Sequence, residues 1–442
     1  MEAMKPINHK IWGIAWPAIL SNISIPLLGL VDAAILGHLG STQYLGAVAI
    51  GGALLSFMYW GFGFLRMGTT GLVAKAMGAG QEREAMLILA QSCILAATLA
   101  LIVIVAHPLW LGLGFMLMAA QTDISSLADS YASIRVFSAP AVLVTYAIVG
   151  WFIGRQNTRW PMAIVVLTNA VNIGLDFLFI IELQMFSDGA AMATVIAEYM
   201  GCALALYGVW RNLSGAPGPT FYQQLKSWRA YQRLLRSNRD LFIRTICLLA
   251  SFAFFTAMGD KMGSDVLAAN TLMIQLVLMA AYGMDGFAFA AEALSGNRLG
   301  ARDLPGFYQS VRYCSFWTAF AAVLMSLFFA LFHSQLFALM TNIDAVKVLL
   351  NTYVPWLILL PLVSAPSYLL DGVFIGSAET RYMMRTMLIS VFLVYLPLWY
   401  LTQGFGNHGL WFAFCAFNGA RGVSLFLCYR QISIRGRWLP PI

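Results

Sequence analysis

The chain of 442 residues carries 26 Lys and Arg and 19 Asp and Glu, so only 10% of it is charged, while 60% is hydrophobic. Soluble domains carry about 25% charged residues, so a water-soluble globule, a disordered chain and a disulfide scaffold are all excluded. We expect a polytopic helical membrane protein, and the net charge of +7 does not by itself indicate a nucleic-acid partner.

Apolar stretches of about 20 residues, long enough to cross ~30 Å of hydrocarbon, recur along the whole chain. In chain order, the twelve predicted membrane helices cover 11–36, 45–70, 86–106, 131–154, 161–181, 189–210, 240–260, 267–292, 313–333, 352–376, 383–401 and 408–429. The short alternating segments of a membrane β-barrel are not seen in this sequence. The sequence therefore predicts an all-α membrane protein with both termini on one side.

Basic residues orient these helices. Lys261 and Lys347 lie in the loops opposite the termini. Arg66, Arg135 and Arg421 lie within predicted spans. The other 21 of the 26 Lys and Arg, with Arg244 counted among them, fall on the side of the termini. The positive-inside rule identifies that side as cytoplasmic.

The longest polar region, 211–239, divides the predicted helices into six and six. Its segment KSWRAYQRLLR at 226–236 is typical of an amphipathic helix on the inner leaflet, and a plain solvated linker is the alternative. We expect an N-terminal lobe over 1–210 and a C-terminal lobe over 240–442.

The two halves repeat each other. GLVAKAMGAG at 71–80 corresponds to ALSGNRLGAR at 293–302, and GRQNTR at 154–159 corresponds to GSAETR at 376–381, both at an offset of 222 in the numbering. Two halves with the same motifs on the same side of the membrane form a parallel repeat, an architecture typical of transporters that work by alternating access.

Ionisable residues inside membrane helices are costly, by about 2.5–3.5 kcal/mol on insertion scales, and indicate function. Asp32, Asp176 and Thr194 fall at a similar depth in three helices, roughly 6–8 Å below the outer boundary at 1.5 Å per residue. Asn172 and Asn169 share the helix face of Asp176. The predicted site is a pocket of Asp32, Asn172, Asp176 and Thr194, with Asn169 and Glu198 at its edge.

Two carboxyl groups in a pocket of low dielectric do not ionise together easily, so we expect one to bind a proton near neutral pH. The oxygen ligands Asp32, Asn172, Asp176 and Thr194 also suit a hard cation such as sodium. A polar cluster that only ties helices together is the structural alternative. Pro26 and Gly29 precede Asp32 and predict a kink, either a moving hinge or a static bend.

In the second half, Asp371 and Arg421 lie at a comparable depth, which predicts an ion pair or a second substrate site. The six cysteines show no CxxC spacing, so we expect neither a disulfide nor a metal site formed by them. The five histidines lie at span ends or tails, so no cluster for a membrane enzyme is visible.

Five segments of the chain resemble the multidrug and toxic compound extrusion family, in the branch named after DNA-damage-inducible protein F. They are PLLGLVDAAILGHLGS (26–41), LRMGTTGLVAKAMGAG (65–80), NIGLDFLFI (172–180), GAAMATVIAEY (189–199) and LLDGVFIG (369–376). The resemblance implies two six-helix bundles around a V-shaped cleft and an antiporter that expels cationic, amphipathic drugs in exchange for protons or sodium ions. It also implies that protonation of Asp32, beside Asn172, Asp176 and Thr194, bends helix 1 near Pro26 and Gly29.

We therefore expect a proton-coupled multidrug efflux antiporter, with sodium coupling as the alternative. It is expected to be a monomer in the cytoplasmic (inner) membrane of a bacterium, to need no cofactor beyond its coupling ion and not to be an enzyme. The rival function is a flippase for lipid-linked saccharides. Such a flippase needs a basic cavity for pyrophosphate, and the spans offer only Arg66, Arg135 and Arg421.

Overall fold

The structure is a computed structural model that describes residues 4–37, 42–118, 122–213 and 219–439. Within these ranges, the side chains of 4–6, 25–30, 32–34, 36–37, 42, 117–118, 122–123 and 219–220 also lie outside the described residues. The described ranges are almost entirely helical, and no strand occurs in them.

Seventeen α-helices make up the described part of the chain. They are α1 (Met4–Gly37), α2 (Thr42–Gly61), α3 (Phe64–Gly78), α4 (Glu82–Val105), α5 (His107–Met118), α6 (Thr122–Arg135), α7 (Ala139–Gly154), α8 (Arg159–Asp176), α9 (Phe186–Asn212), α10 (Pro219–Lys226), α11 (Trp228–Asp260), α12 (Ser264–Gly300), α13 (Leu304–Met340), α14 (Asp344–Gly376), α15 (Thr380–Ile389), α16 (Leu396–Thr402) and α17 (Asn407–Ile434). Two π-helical segments, Phe177–Glu182 and Ser390–Tyr395, follow α8 and α15.

Eleven helical segments of the described residues are long and apolar enough to cross a membrane. They overlap one by one with the predicted spans from 45–70 to 408–429. The first predicted span, 11–36, lies in α1, where part of the side chains is outside the described residues. The prediction of an all-α polytopic membrane protein is confirmed.

Local sequence explains where α13 begins. Asp303 precedes α13, and its Oδ1 accepts a hydrogen bond from the backbone N–H of Gly306 at 2.9 Å, which satisfies one free donor of the first turn. Pro305 stands in that first turn, where a missing N–H leaves no hydrogen bond unmade. Arg298 at the end of α12 donates to Oδ2 of the same aspartate at 2.8 Å.

The helices repeat along the chain as the motifs do. Thr42 and Ser264 begin α2 and α12, and Glu82 and Leu304 begin α4 and α13, in both cases at the offset of 222 (264 − 42 and 304 − 82). The C-terminal ends of α7 and α14 correspond at the same offset. Each helix is followed by a residue in the left-handed region, at 156 with a φ of 60° and at 378 with a φ of 53°. The predicted repeat is confirmed at the level of secondary structure.

Equivalent glycines bring equivalent helices into backbone contact. A Cβ at Gly154 of α7 would lie 2.9 Å from the carbonyl oxygen of Thr70 in α3, and one at Gly376 of α14 would lie 2.1 Å from that of Glu292 in α12. Gly154 and Gly376, like Thr70 and Glu292, are again related by the offset of 222 (376 − 154 and 292 − 70). Small residues allow membrane helices to approach this closely.

Contacts divide the chain into two compact units. The C-terminal unit comprises Met1–Ile19, Ala74–Gly80 and Arg236–Ile442, and the N-terminal unit comprises Leu20–Val73 and Gln81–Leu235. The first half of α1 and the end of α3 thus pack with the C-terminal helices. The lobes predicted over 1–210 and 240–442, and the linker between them, stay a prediction.

Buried amides organise the interior of the C-terminal unit. Asn270 of α12 donates to Oδ1 of Asn407 at 2.8 Å, and Asn407 donates back to Oδ1 of Asn270 at 2.9 Å. Trp411 Nε1 donates to the same Asn270 oxygen at 2.9 Å. These bonds tie α12 to α17 among otherwise apolar side chains.

Candidate functional site

Helices α8 and α9 bring three of the predicted polar residues together in the N-terminal unit. Asn172 and Asp176 lie one turn apart on α8 and are 1% and 0% exposed, and Thr194 on α9 is 7% exposed. The structure therefore buries an amide, a carboxyl group and a hydroxyl group side by side between two antiparallel helices. We call Asn172, Asp176 and Thr194 the α8–α9 cluster.

The amide of Asn172 bridges the other two members of the cluster. In one orientation its Nδ2 donates to Thr194 Oγ1 at 3.2 Å, and Thr194 Oγ1 in turn donates to the backbone oxygen of Ala190 at 2.9 Å. In the other orientation Nδ2 donates to Asp176 Oδ2 at 3.2 Å, and the amide oxygen accepts from Thr194. Only the second orientation gives both ends of the amide a suitable partner, because in the first the amide oxygen faces only acceptors; Asn172 is therefore assigned as a donor to the Asp176 carboxylate.

Asn169 faces helix α1 instead of the cluster. Its Nδ2 donates to the backbone oxygen of Ser24 at 3.1 Å, two residues before Pro26. Since Asn169 precedes Asn172 by three residues, α8 holds both the cluster and this contact to α1. The backbone of α1 is helical through Pro26, Gly29 and Asp32, and the side chains of these three lie outside the described residues. The convergence of Asp32 on the cluster stays a prediction.

Glu198 lies one turn beyond Thr194 on α9 and belongs to a second polar network. Its charge interacts with that of Arg135 on α6. Arg135 Nη1 donates to the hydroxyl of Tyr131 at 2.9 Å. The described contacts include no hydrogen bond from Glu198 to the α8–α9 cluster. Its predicted place at the edge of the site stays a prediction.

A tyrosine of α2 extends this second network and was not among the predicted residues. Tyr59 is 6% exposed, and its hydroxyl lies 2.9 Å from Ser138 Oγ. Nothing in the sequence around Tyr59 distinguishes it from the many aromatic side chains of the spans, so sequence reasoning had no signal for it.

Helix α14 carries Asp371, which the structure brings together with Arg421 of α17. Arg421 Nη2 donates to Asp371 Oδ2 at 2.9 Å. The second partner is Arg244 of α11, whose Nη2 donates to the same oxygen. Arg244 is 7% exposed and pairs with a buried carboxylate inside the unit, so it does not lie in a solvated loop, and its place on the cytoplasmic side stays a prediction. The position of Arg244 within the predicted span 240–260 was the signal in the sequence for this burial.

No group of three or more His, Cys, Asp and Glu side chains within 4–37, 42–118, 122–213 and 219–439 is arranged to hold a metal ion. The α8–α9 cluster offers a carboxyl, an amide and a hydroxyl oxygen. A carboxyl group that exchanges its hydrogen-bond partner on protonation suits a proton, and three different oxygen-bearing side chains suit sodium.

The architecture and the repeat agree with a comparison to known families. The model of the MatE family matches residues 17–178 and matches again over 241–401. The starting positions of the two matched segments differ by 224 (241 − 17), close to the offset of the helices. The chain belongs to the MatE family.

This MATE transporter is 37% identical to DNA damage-inducible protein F of Escherichia coli (strain K12) in an alignment of 443 residues. The alignment covers 99% of this chain and 95% of that relative. The transporter is 24% identical over 301 residues to human multidrug and toxin extrusion protein 1, over 66% of this chain and 51% of the human protein. The chain is thus a multidrug and toxin extrusion transporter with many membrane-spanning helices, similar to the bacterial protein.

Solved structures share the fold. A mutant of the Vibrio cholerae MATE transporter VcmN has a TM-score of 0.85 at 22% identity and covers 99% of both chains. A multidrug resistance MATE family transporter in the outward-facing conformation has a TM-score of 0.88 at 20% identity and covers 96% of both chains. At these identities the likeness establishes the fold of the MATE transporter, while its site residues need arguments of their own.

Proposed function

We propose that this MATE transporter is a proton-coupled antiporter whose coupling site consists of Asp32 and the α8–α9 cluster. The observation that carries the proposal is the burial of Asp176 beside the amide of Asn172, whose Nδ2 lies 3.2 Å from Oδ2 of Asp176. A buried carboxyl group favours its neutral form, so a proton is its natural counter-ion.

We propose that protonation of Asp176 is accompanied by a turn of the Asn172 amide, which exchanges donor and acceptor between the two side chains. When Asp176 is ionised, Nδ2 of Asn172 donates to Oδ2 across 3.2 Å. When Asp176 is protonated, its O–H donates to the amide oxygen, Nδ2 donates to Thr194, and Thr194 donates to Ala190.

Helix α1 is the element that we propose responds to the proton. The bond from Asn169 to Ser24 fixes α1 against α8 at a point two residues before Pro26. Pro26 has no N–H to bond to the carbonyl of residue 22 and its ring crowds that carbonyl, which makes the turn before Pro26 the place where α1 can bend. Uptake of a proton by Asp32 or Asp176 would then bend α1 near Pro26 and Gly29 and release the drug outward.

The transporter is proposed to work as a monomer in the cytoplasmic membrane of a bacterium, with both termini in the cytoplasm. Proton entry along its gradient drives the exit of a small cationic or amphipathic drug. The orientation rests on the basic residues, of which 20 lie on the side of the termini once Arg244 is removed from the 21, against Lys261 and Lys347 on the other side.

The test is ethidium efflux from proteoliposomes with a pH gradient or a sodium gradient as the only driving force. Asp32→Asn and Asp176→Asn should each abolish efflux driven by the pH gradient. Asp188→Asn is the matched control, because Asp188 is a half-buried carboxylate of α9 whose Oδ1 accepts from Ser130 at 2.9 Å, a role that asparagine keeps.

Pro26→Ala tests the bend separately, since it should slow efflux while leaving ethidium binding intact. Efflux at the wild-type rate by Asp32→Asn would contradict the coupling role. Efflux that responds only to a sodium gradient would assign the site to sodium instead.

A further inference from the structure

A compact cluster of charges lies in the C-terminal unit, whereas the α8–α9 cluster belongs to the N-terminal unit. Three helices, α11, α14 and α17, contribute Arg244, Asp371 and Arg421, which are 7%, 7% and 3% exposed. Both guanidinium groups donate to the same oxygen, Asp371 Oδ2. We call these three residues the Arg–Asp–Arg triad.

The charges of the triad do not cancel. Two guanidinium groups share one carboxylate, so the triad as a unit carries one excess positive charge inside the membrane domain. The Nε atoms of Arg244 and Arg421 are buried and find no hydrogen-bond partner among the described residues. Unmatched donors and an unmatched charge in an apolar region are costly, and an anionic group would satisfy both.

The neighbouring side chains supply one further acceptor and one further carboxylate. Arg421 Nη1 donates to Asn418 Oδ1 at 3.1 Å. Asp285 of α12 interacts electrostatically with the hydroxyl of Tyr368, which in turn senses the three charges of the triad. Balance of the excess charge by Asp285 is therefore the competing explanation, and the experiment below has to distinguish it from binding of an anion.

The triad is not sealed from its surroundings. The side chain of Asp371 is 10% exposed, and its Oδ1 accepts no hydrogen bond from the described residues. Apolar and aromatic surface adjoins it, because the Arg421 guanidinium lies 5.6 Å from the centre of the Phe417 ring and Tyr368 packs against Met284. An acidic group with an apolar body attached fits these surroundings.

The repeat shows that the triad is particular to the second half. At the offset of 222, the positions of Arg244, Asp371 and Arg421 correspond to Asn22, Val149 and Tyr199 in the first half. In the same way the α8–α9 cluster corresponds to Val394, Leu398 and Ala416. The two halves thus share a helix arrangement but not their buried polar residues. The α8–α9 cluster of the first half suits a cation or a proton, and the Arg–Asp–Arg triad of the second half suits an anion.

We propose that the Arg–Asp–Arg triad binds the acidic group, a carboxylate or sulfonate, of amphiphilic substrates. The transporter would then accept anionic and zwitterionic amphiphiles in addition to cationic ones. The inference rests on the proposed transport function for its role in the cell, whereas binding itself can be measured without transport. The acidic group takes the place of Asp371 on one guanidinium and adds the missing negative charge.

The test uses two fluorescent probes with the same aromatic rings, anilinonaphthalene sulfonate and phenylnaphthylamine, which lacks the sulfonate. Each is titrated against the purified full-length protein in a neutral detergent. Arg421→Gln and Arg244→Gln should each weaken sulfonate binding about tenfold or more, which equals about 1.4 kcal/mol, and leave phenylnaphthylamine binding unchanged. Both variants leave one neutral arginine–aspartate pair, so they are expected to fold.

Two further variants sharpen the result. Arg312→Gln removes an exposed arginine of α13 and should change neither titration. Asp371→Asn removes the competing carboxylate and should tighten sulfonate binding, an effect that a purely structural triad would not produce. Sulfonate binding that ignores both arginine variants, or that changes in parallel with phenylnaphthylamine binding, would overturn the proposal.

Ethidium efflux distinguishes the two proposals. If the wild type binds the sulfonate through the arginines but expels no ethidium, the transport proposal fails and the anion site remains. If ethidium efflux is normal while the arginine variants bind the sulfonate as the wild type does, the anion site fails and the transport proposal stands.

Discussion

Adding a single methyl group at Gly376 should force α14 away from α12. The Cβ of Gly376→Ala would lie 2.1 Å from the carbonyl oxygen of Glu292 and 2.3 Å from Ser295 Oγ, whereas real Cβ atoms essentially never come closer than 3.0 Å. The helices must therefore separate by at least 0.9 Å at this point (3.0 − 2.1). A Cβ at Gly372, one turn earlier, would likewise lie 2.4 Å from the Ala288 carbonyl oxygen, so the two backbones are close there too and a small tilt cannot relieve the clash.

Overpacking of this kind costs about 1–3 kcal/mol, and the better helix propensity of alanine returns up to about 1 kcal/mol. Gly283→Ala is the matched control on α12, because its Cβ would meet nothing within 4 Å. Both variants gain the same helix propensity. The difference between their free energies of unfolding therefore measures only the clash between α14 and α12, and it should be about 1–3 kcal/mol. Because the entropy of unfolding grows with chain length, 442 residues correspond to about 1 °C per kcal/mol, so Tm should fall by about 1–3 °C relative to the control.

The assay is thermal unfolding of the purified variants in one detergent, followed by tryptophan fluorescence. Gly154→Ala in the N-terminal unit should lower Tm less, since its Cβ would lie 2.8 Å from Val73 and 2.9 Å from Thr70, so smaller shifts suffice. If Gly376→Ala proved as stable as Gly283→Ala, the crossing would not depend on close backbone contact, and the reasoning from these distances would be refuted.

Three further predictions concern stability in the C-terminal unit. Asn407→Ala should lower the free energy of unfolding by about 1–3 kcal/mol, because it leaves the buried Nδ2 of Asn270 without its acceptor, while Oδ1 keeps only the bond from Trp411; Tm in detergent measures this. Burial raises the pKa of Glu379, in the turn between α14 and α15, above its usual 4.5, and Lys75 opposes that rise. Folding therefore favours the protonated form of Glu379, and stability should fall as pH rises from 4.5 through the raised pKa. Glu379→Gln should flatten this part of a profile of Tm against pH. An unchanged profile would contradict the assignment. Asp303→Ala removes the cap of α13 and should cost about 0.5–2 kcal/mol, whereas Asp303→Asn, which keeps an acceptor, should cost less in the same assay.

Membrane helices are the part of this fold that sequence predicts best. In hydrocarbon every backbone polar group needs an internal partner, so an apolar stretch of sufficient length has to be a helix whatever surrounds it. The predicted spans from 45–70 onward accordingly overlap helices of the structure. The repeat was equally accessible, since equal spacing of motifs such as 154–159 and 376–381 reflects equal helix lengths.

The sequence also allowed prediction of polar residues that share a helix face or lie at the same membrane depth. Asn172 and Asp176 are four residues apart and so share a helix face, and orientation alone placed Thr194 at their depth. The pairing of Asp371 with Arg421 followed from the same reasoning about depth and is observed at 2.9 Å. The role of these residues in coupling or in substrate binding awaits the efflux and binding experiments.

Tertiary structure alone decided how the helices rotate and which distant residues meet. Arg244 lies 127 residues from Asp371 and was counted with the cytoplasmic charges, yet it shares the carboxylate with Arg421. Glu198 interacts with Arg135 through the packing of α6 against α9. The length and apolarity of a segment determine that it crosses the membrane as a helix, because lipid offers the backbone no other partner. Which face each helix turns to its neighbours depends on side-chain packing across helices distant in sequence, and no local pattern records that.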